Sequence, residues 1–179
     1  MIYYTCDYKI SKDDKDYVLN TYKQDRFLRS GDGSYYTGYH SHPQSSKRQR
    51  TVDFDDKKLV QIYSPILSNC LEEQGFPIKG AILSYNHMWA QIYVKEKRSM
   101  NAPHHHYISS KTICSWIHFI DVPDDQDCLY FVVGDKKVYP KEQRSGKLVF
   151  FPPWSLHGVD TITTTNERVV VAGNISKLL

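Results

Sequence analysis

The sequence predicts a mainly β protein, a sandwich or barrel of antiparallel strands behind a helical, loop-rich N-terminal third. Three observations carry that expectation. From Ile78 onward, short apolar and aromatic runs are broken by turn residues at roughly the eight-to-twelve-residue spacing of an all-β domain. Before that point, only Asp55 to Glu73 repeats its apolar residues with a clear helical period. The chain has 179 residues, 40% hydrophobic and 13% aromatic, which suffices to bury a core in one domain without staples. The expected layout is a single domain over 1–179, with 1–77 helical and loop-rich and 78–179 forming the β core.

Met1 to Thr5 is short and aromatic and reads as a strand. Ser11 to Arg29 is strongly charged, and Tyr17, Val18, Leu19, Tyr22, Phe27 and Leu28 give a ragged helical period. From Ser30 to Arg50 the signals are turns and polarity: Gly31-Asp32-Gly33-Ser34, Gly38, Pro43 and the basic run Lys47-Arg48-Gln49-Arg50. A loop of that length in a domain points to a lid or binding segment, or to disorder. In the helix from Asp55 to Glu73, Leu59, Ile62, Tyr63, Ile66, Leu67, Cys70 and Leu71 share one face. Pro65 is expected to kink or split it, and Gly75-Phe76-Pro77 to end it. The strands that follow are Ile82 to Tyr85, Met88 to Val94, a histidine strand after the charged turn Lys95 to Arg98, and Thr112 to Val122. Cys128 to Val133 and Lys137 to Tyr139 form a hairpin about Gly134-Asp135. Lys147 to Phe151, His157 to Thr161 and Arg168 to Asn174 complete the series.

Composition excludes several classes. The 23 basic and 20 acidic residues leave a net charge of +3, too balanced to argue for nucleic acid. No apolar run approaches the ~20 residues of a membrane helix, and the N-terminus lacks the basic and apolar regions of a signal peptide. Cys6, Cys70, Cys114 and Cys128 include no C-x-x-C pair, so neither a zinc ribbon nor a thioredoxin motif is present. The expected setting is cytoplasmic, with reduced thiols.

The chemistry concentrates in Pro103-His104-His105-His106-Tyr107 and Phe150-Phe151-Pro152-Pro153-Trp154-Ser155-Leu156-His157. Imidazole is the commonest side-chain metal ligand near neutral pH. On a strand, side chains alternate faces, so His104 and His106 point one way and His105 the other. A second strand at His157 would close the site. Arg168 follows, expected on the next antiparallel strand, where a guanidinium can grip a carboxylate with two parallel hydrogen bonds. The alternative for Arg168 is an ion pair with Glu167 or Asp160 at a strand end.

Taken with Ser115-Trp116-Ile117-His118-Phe119-Ile120-Asp121-Val122-Pro123, Gly146 to His157, and Glu167-Arg168-Val169-Val170-Val171-Ala172-Gly173-Asn174, these segments resemble the 2-oxoglutarate- and iron(II)-dependent oxygenases. The nearest branch is prolyl-hydroxylase-like and includes small oxygenases of phages. The resemblance covers residues 89 to 175. It implies a double-stranded β-helix (jelly roll) with flanking N-terminal helices, Fe(II) held by His104 and His157, and 2-oxoglutarate held at its far carboxylate by Arg168. It also implies turnover of 2-oxoglutarate and O2 to succinate and CO2, with hydroxylation of a peptide or small-molecule substrate such as a prolyl residue.

One departure stands out. The family's usual pattern is His-x-Asp…His, whereas this chain reads His-x-His. Either His106 is the third ligand, leaving the site one positive charge higher, or water takes that position. The resemblance implies further pocket residues. Tyr93, on a strand expected beside that of His104, and Gln91 on the same face are candidates to contact the co-substrate, with core packing the alternative for Tyr93. His118 stands where the family often has tyrosine; a pocket-lining role competes with that of a satisfied core histidine. Asn174 matches the family's terminal Asn. Trp116 and Trp154 line either a substrate groove or the core. His40-Ser41-His42-Pro43-Gln44-Ser45 copies the family's motif, but the polar run after it makes a loop the expected reading. Two rivals stand: a cupin-like three-histidine metalloenzyme that does not use 2-oxoglutarate, and a jelly-roll binding module without catalysis.

Overall fold

The computed structural model describes residues 3–24, 35–36, 39–40, 57–76, 78–94, 100–106, 110–122, 127–163 and 167–178. Its elements are β1 (Tyr4–Asp7), α1 (Lys12–Tyr22), β2 (Tyr35–Tyr36), β3 (Tyr39–His40), α2 (Lys57–Glu73), β4 (Leu83–Tyr93), β5 (Met100–His104), β6 (Thr112–Asp121), β7 (Leu129–Val133), β8 (Lys136–Val138), β9 (Lys147–Phe151), β10 (His157–Val159) and β11 (Arg168–Lys177).

Ser11 caps α1 by accepting from the Asp14 amide, and Asp13 and Asp14 place negative charge at the positive end of the helix dipole. α2 buries Leu59, Ile62, Tyr63, Leu67, Cys70 and Leu71 along one stripe. It is not split: the helix runs through Pro65. Pro65 lies on the exposed side, and the buried stripe before and after it packs into one core, so the lost amide bond is outweighed by packing on both flanks. Gly75, at φ +72°, ends the helix in a Schellman motif, with Gly75 N–H donating to the Glu72 carbonyl and Phe76 N–H to that of Leu71.

The strands form two antiparallel sheets, ordered β1-β9-β6-β11-β4-β3 and β2-β5-β10-β7-β8. Strands β4 to β11 alternate between the sheets, apart from the β7–β8 hairpin, which gives the eight-stranded jelly roll. The hairpin pairs Val133 with Lys136 and turns at Gly134, φ +59°. Two expected adjacencies are corrected by this order. β4 does not pair with β5, nor β10 with β11, because each of those connections crosses from one sheet to the other. The segment expected to be a loop contributes two short strands, β2 on β5 and β3 on β4. Each contains tyrosine, which suits a pleated edge. His40 is thereby in a strand, its backbone opposite Gln91. The rest of the expected lid, the 41–45 motif segment and the basic run 47–50, lies outside the described residues.

Two apolar layers result. Between the sheets lie Trp89, Tyr93, Ile117, Phe119, Phe131, Phe151, Val170 and Ala172. On the outer face of the six-stranded sheet, Val18, Tyr63 and Leu67 of the helices meet Trp116, Ile120, Val169 and Val171. β11 is covered on both faces, which explains its nearly continuous apolar run. Among the described residues, no helix is long and apolar enough to cross a membrane.

His118 belongs to the outer layer. The parity of β6 sends Ile117 and Phe119 between the sheets and turns His118 toward α2. There its Nδ1 accepts from the Tyr63 hydroxyl at 2.7 Å and its Nε2 donates to the Tyr8 carbonyl at 2.9 Å. This corrects its assignment to the pocket. Burial pushes its pKa down to about 4. The unfolded chain therefore binds a proton that the native state refuses between about pH 6.5 and 4, and stability falls as pH falls through that window. The loss reaches about 3 kcal/mol by pH 4. His118→Gln is expected to flatten the acid limb by that amount, read as the difference between urea unfolding curves at pH 7 and pH 4. An acid limb as steep in the variant as in the parent would contradict the assignment.

Candidate metal and anion site

His104 ends β5 and His157 begins β10, and the two are direct partners across the antiparallel ladder. His106 lies two positions beyond, its amide donating to the Pro153 carbonyl at 2.9 Å, which ties the segment after β5 to the turn before β10. Ring centroids are 4.5 Å apart for His104 and His157, 4.9 Å for His104 and His106, and 5.0 Å for His106 and His157. One ring nitrogen from each lies within 4.8 Å of the others. His105 is exposed.

The tautomers suit a ligand role. His104 Nδ1 meets the Ala102 carbonyl at 2.8 Å and His157 Nδ1 that of Ser155 at 2.9 Å. A carbonyl only accepts, so both Nδ1 atoms carry the proton and each Nε2 keeps its lone pair, the outer-shell arrangement common around bound metals. Burial holds both imidazoles in the neutral form: it lowers the pKa of His104, and it pushes that of His157 down to about 3, with nearby His104 adding to the effect. Gly158 follows for steric reasons. A Cβ there would stand 2.6 Å from the Tyr130 hydroxyl and 2.8 Å from the Asn101 carbonyl, because the tyrosine lies across β10.

Arg168 starts β11 opposite Tyr93 and is 2% exposed. Its guanidinium faces between the sheets, 4.9 Å over the Phe119 ring, and its Nη2 donates to Gln143 Oε1 at 3.1 Å. Burial lowers its pKa, yet a guanidinium stays charged in proteins. The strand-end alternatives are otherwise engaged: Glu167 pairs with Lys23, and Asp160 with Lys137 and Tyr139. Tyr93 donates to Gln91 Oε1 at 3.1 Å. Desolvation raises the Tyr93 pKa, so its hydroxyl keeps its proton. Trp89 stands 5.1 Å from His106 on the same β4 face. β4 therefore links the imidazole cluster at Trp89 to Arg168 at Tyr93.

Asn174 also faces inward, accepting from Ser115 Oγ at 2.7 Å. Trp116 is buried against Tyr63 in the outer layer, whereas Trp154 is 65% exposed on the turn before His157. The sequence reading missed Gln143. It sits in a charged turn, and nothing in Lys141-Glu142-Gln143-Arg144 announces a side chain only 4% exposed.

No protein-family model and no curated protein matches the chain. Solved structures do match. A viral collagen prolyl hydroxylase from Paramecium Bursaria Chlorella virus-1, solved with 2OG, is 11% identical over 98% of this chain and 96% of its own, with a TM-score of 0.61. The non-heme alpha ketoglutarate dependent epimerase SnoN from nogalamycin biosynthesis is 14% identical over 97% of this chain and 76% of its own, with a TM-score of 0.67. A 2OG-Fe(II) oxygenase family oxidoreductase from Burkholderia pseudomallei is 13% identical, with a TM-score of 0.55. That match covers 68% of this chain and 57% of the longer protein. At these identities the likeness establishes the double-stranded β-helix fold.

Proposed function

We propose that the protein is an Fe(II)- and 2-oxoglutarate-dependent dioxygenase. One observation carries the reading: three imidazoles gather at the β5–β10 pair, while Arg168 faces the same inter-sheet interior from β11. The donor set suits ferrous iron, one of the metals imidazole binds, and the carbonyls at Nδ1 of His104 and His157 put the ring lone pair of each on Nε2. Along β4, Trp89 and Tyr93 are separated by about 13 Å of extended strand. A five-carbon dicarboxylate with its ligand bonds and a long guanidinium is of that order.

When bound, Fe(II) would supply oxygen activation coupled to decarboxylation of the keto-acid. The chain's own residues do the rest. His104, His106 and His157 would hold the ion from one side. Arg168 would fix the far carboxylate, with Tyr93 and Gln91 beside it, and Asn174 would help wall the interior. Trp89, Phe131 and Phe151 keep it apolar, which strengthens each charge interaction inside and limits water. The substrate, a peptide or a small molecule, would enter from the side of exposed Trp154, and a cytoplasmic setting fits the free cysteines.

The three imidazoles also suit a metalloenzyme that does not use 2-oxoglutarate, so the test separates the two. Fe(II) and 2-oxoglutarate mixed anaerobically with the protein are expected to give a visible charge-transfer band, and on admitting air, succinate. Metal uptake without band or succinate would overturn the proposal in favour of the second reading.

A further inference from the structure

We propose that Gln143 is the positioning residue of the anion subsite, setting the direction in which Arg168 presents its guanidinium. The inference rests on the reading of Arg168 as the co-substrate's carboxylate partner. Gln143 lies on the connection between β8 and β9, outside the segments that carry the cluster's histidines. Its amide is held at both ends. Oε1 accepts from the Cys128 amide at 3.2 Å and the Leu129 amide at 2.8 Å, while Nε2 donates to the Leu129 carbonyl at 2.7 Å and the Pro140 carbonyl at 3.3 Å. A flipped amide would set donors against donors and acceptors against acceptors, so one orientation is enforced. In that orientation the oxygen is what meets Arg168 Nη2, at 3.1 Å.

The backbone beside it carries a second observation. Glu142 adopts φ +61°, the one positive φ outside glycine among the described residues. Side chains with a Cβ rarely adopt such a conformation, and it is held where the surroundings demand it. Here it turns the chain so that Gln143 enters the core, while Glu142 itself faces outward and meets Lys147 Nζ at 3.1 Å. The amide orients the guanidinium without adding a formal negative charge of its own. A glutamate at the same place would compete with an incoming carboxylate for the same donors.

Gln143→Met is the test, with 2-oxoglutarate affinity measured by calorimetry on the Co(II)-loaded protein under nitrogen. The dissociation constant should rise about tenfold, the loss of one hydrogen bond to a charged group, while Co(II) affinity stays within about twofold. In an Arg168→Met background the same substitution should cost nothing more, because its effect passes through the guanidinium. Unchanged 2-oxoglutarate affinity, or additive losses, would overturn the proposal. Should Gln143→Met fail to fold, Gln143→Glu keeps the acceptor atoms and is expected to weaken 2-oxoglutarate binding as well; affinity equal to the parent's would overturn the inference. If the parent takes up no 2-oxoglutarate, the functional reading falls, and NMR of the Arg168 Nε–H group, assigned with Arg168→Lys, decides the positioning separately. A signal shifted and broadened in Gln143→Met supports it, and an unmoved signal overturns it.

Discussion

His157→Ala is expected to remove metal binding, with Co(II) or Fe(II) affinity falling by more than about a hundredfold. The size follows from place and number. His157 is 2% exposed, it faces His104 across the ladder, and it is one of three candidate donors in the cluster among the described residues. Outer-shell partners of metal ligands are worth about ten- to a hundredfold when lost, and a ligand itself is worth more. Calorimetric titration under nitrogen measures the change, and thermal unfolding of the metal-free forms separates a missing ligand from a damaged core. His106→Asp makes the complementary case. It restores the His-x-Asp pattern from which the chain departs and should keep metal affinity within about tenfold of the parent's. Metal affinity equal to the parent's in His157→Ala would remove the metal centre from β10.

Arg168→Met is expected to weaken 2-oxoglutarate binding by about a hundredfold while leaving metal affinity nearly unchanged. Two charge-assisted hydrogen bonds between a guanidinium and a carboxylate are each worth about 1.5–3 kcal/mol when the site is dry, and about 2.7 kcal/mol in total is already a hundredfold. The methionine fills the stem's space beside Phe119 and removes a cation whose burial is itself costly, so thermal stability should not fall in step with affinity. Arg168→Lys should recover part of the loss as a point charge without the fork. Calorimetry with 2-oxoglutarate on the metal-loaded variants decides; parental affinity in Arg168→Met would end the co-substrate assignment.

Much of the fold was legible because its signals are local. The α2 stripe, the Gly134 turn and the strands from Met100 to Lys177 follow from short-range periodicity and punctuation, whereas Leu83–Tyr93 is one strand where two, Ile82 to Tyr85 and Met88 to Val94, were expected. The pairing of His104 with His157 was legible for a different reason: a chemically unusual residue stands at an end of each strand. What stayed hidden was long-range. No local period says that consecutive strands alternate between sheets, so Tyr93 and Arg168 were expected beside the wrong partners, although they prove to be partners of each other. His118 was lost to parity, since a shift of one residue along β6 exchanges the pocket for the helix layer. Pro65 was read by its intrinsic cost, which packing on both flanks outweighs. Gln143 was invisible because its importance lies in four backbone groups that only the folded chain brings around it.

The place of β11 has a consequence for how the chain comes to be folded at all. Its strand lies between β4 and β6 in the larger sheet, so the two wait for a neighbour synthesised after both of them. Until Arg168 to Lys177 has left the ribosome, β4 and β6 each present an unpaired hydrogen-bonding edge, and the helices lack Val169, Val171 and Ile175 from the surface they settle on. Chain closures of this span are slow. A nascent protein with such edges open is the form a chaperone would have to shield.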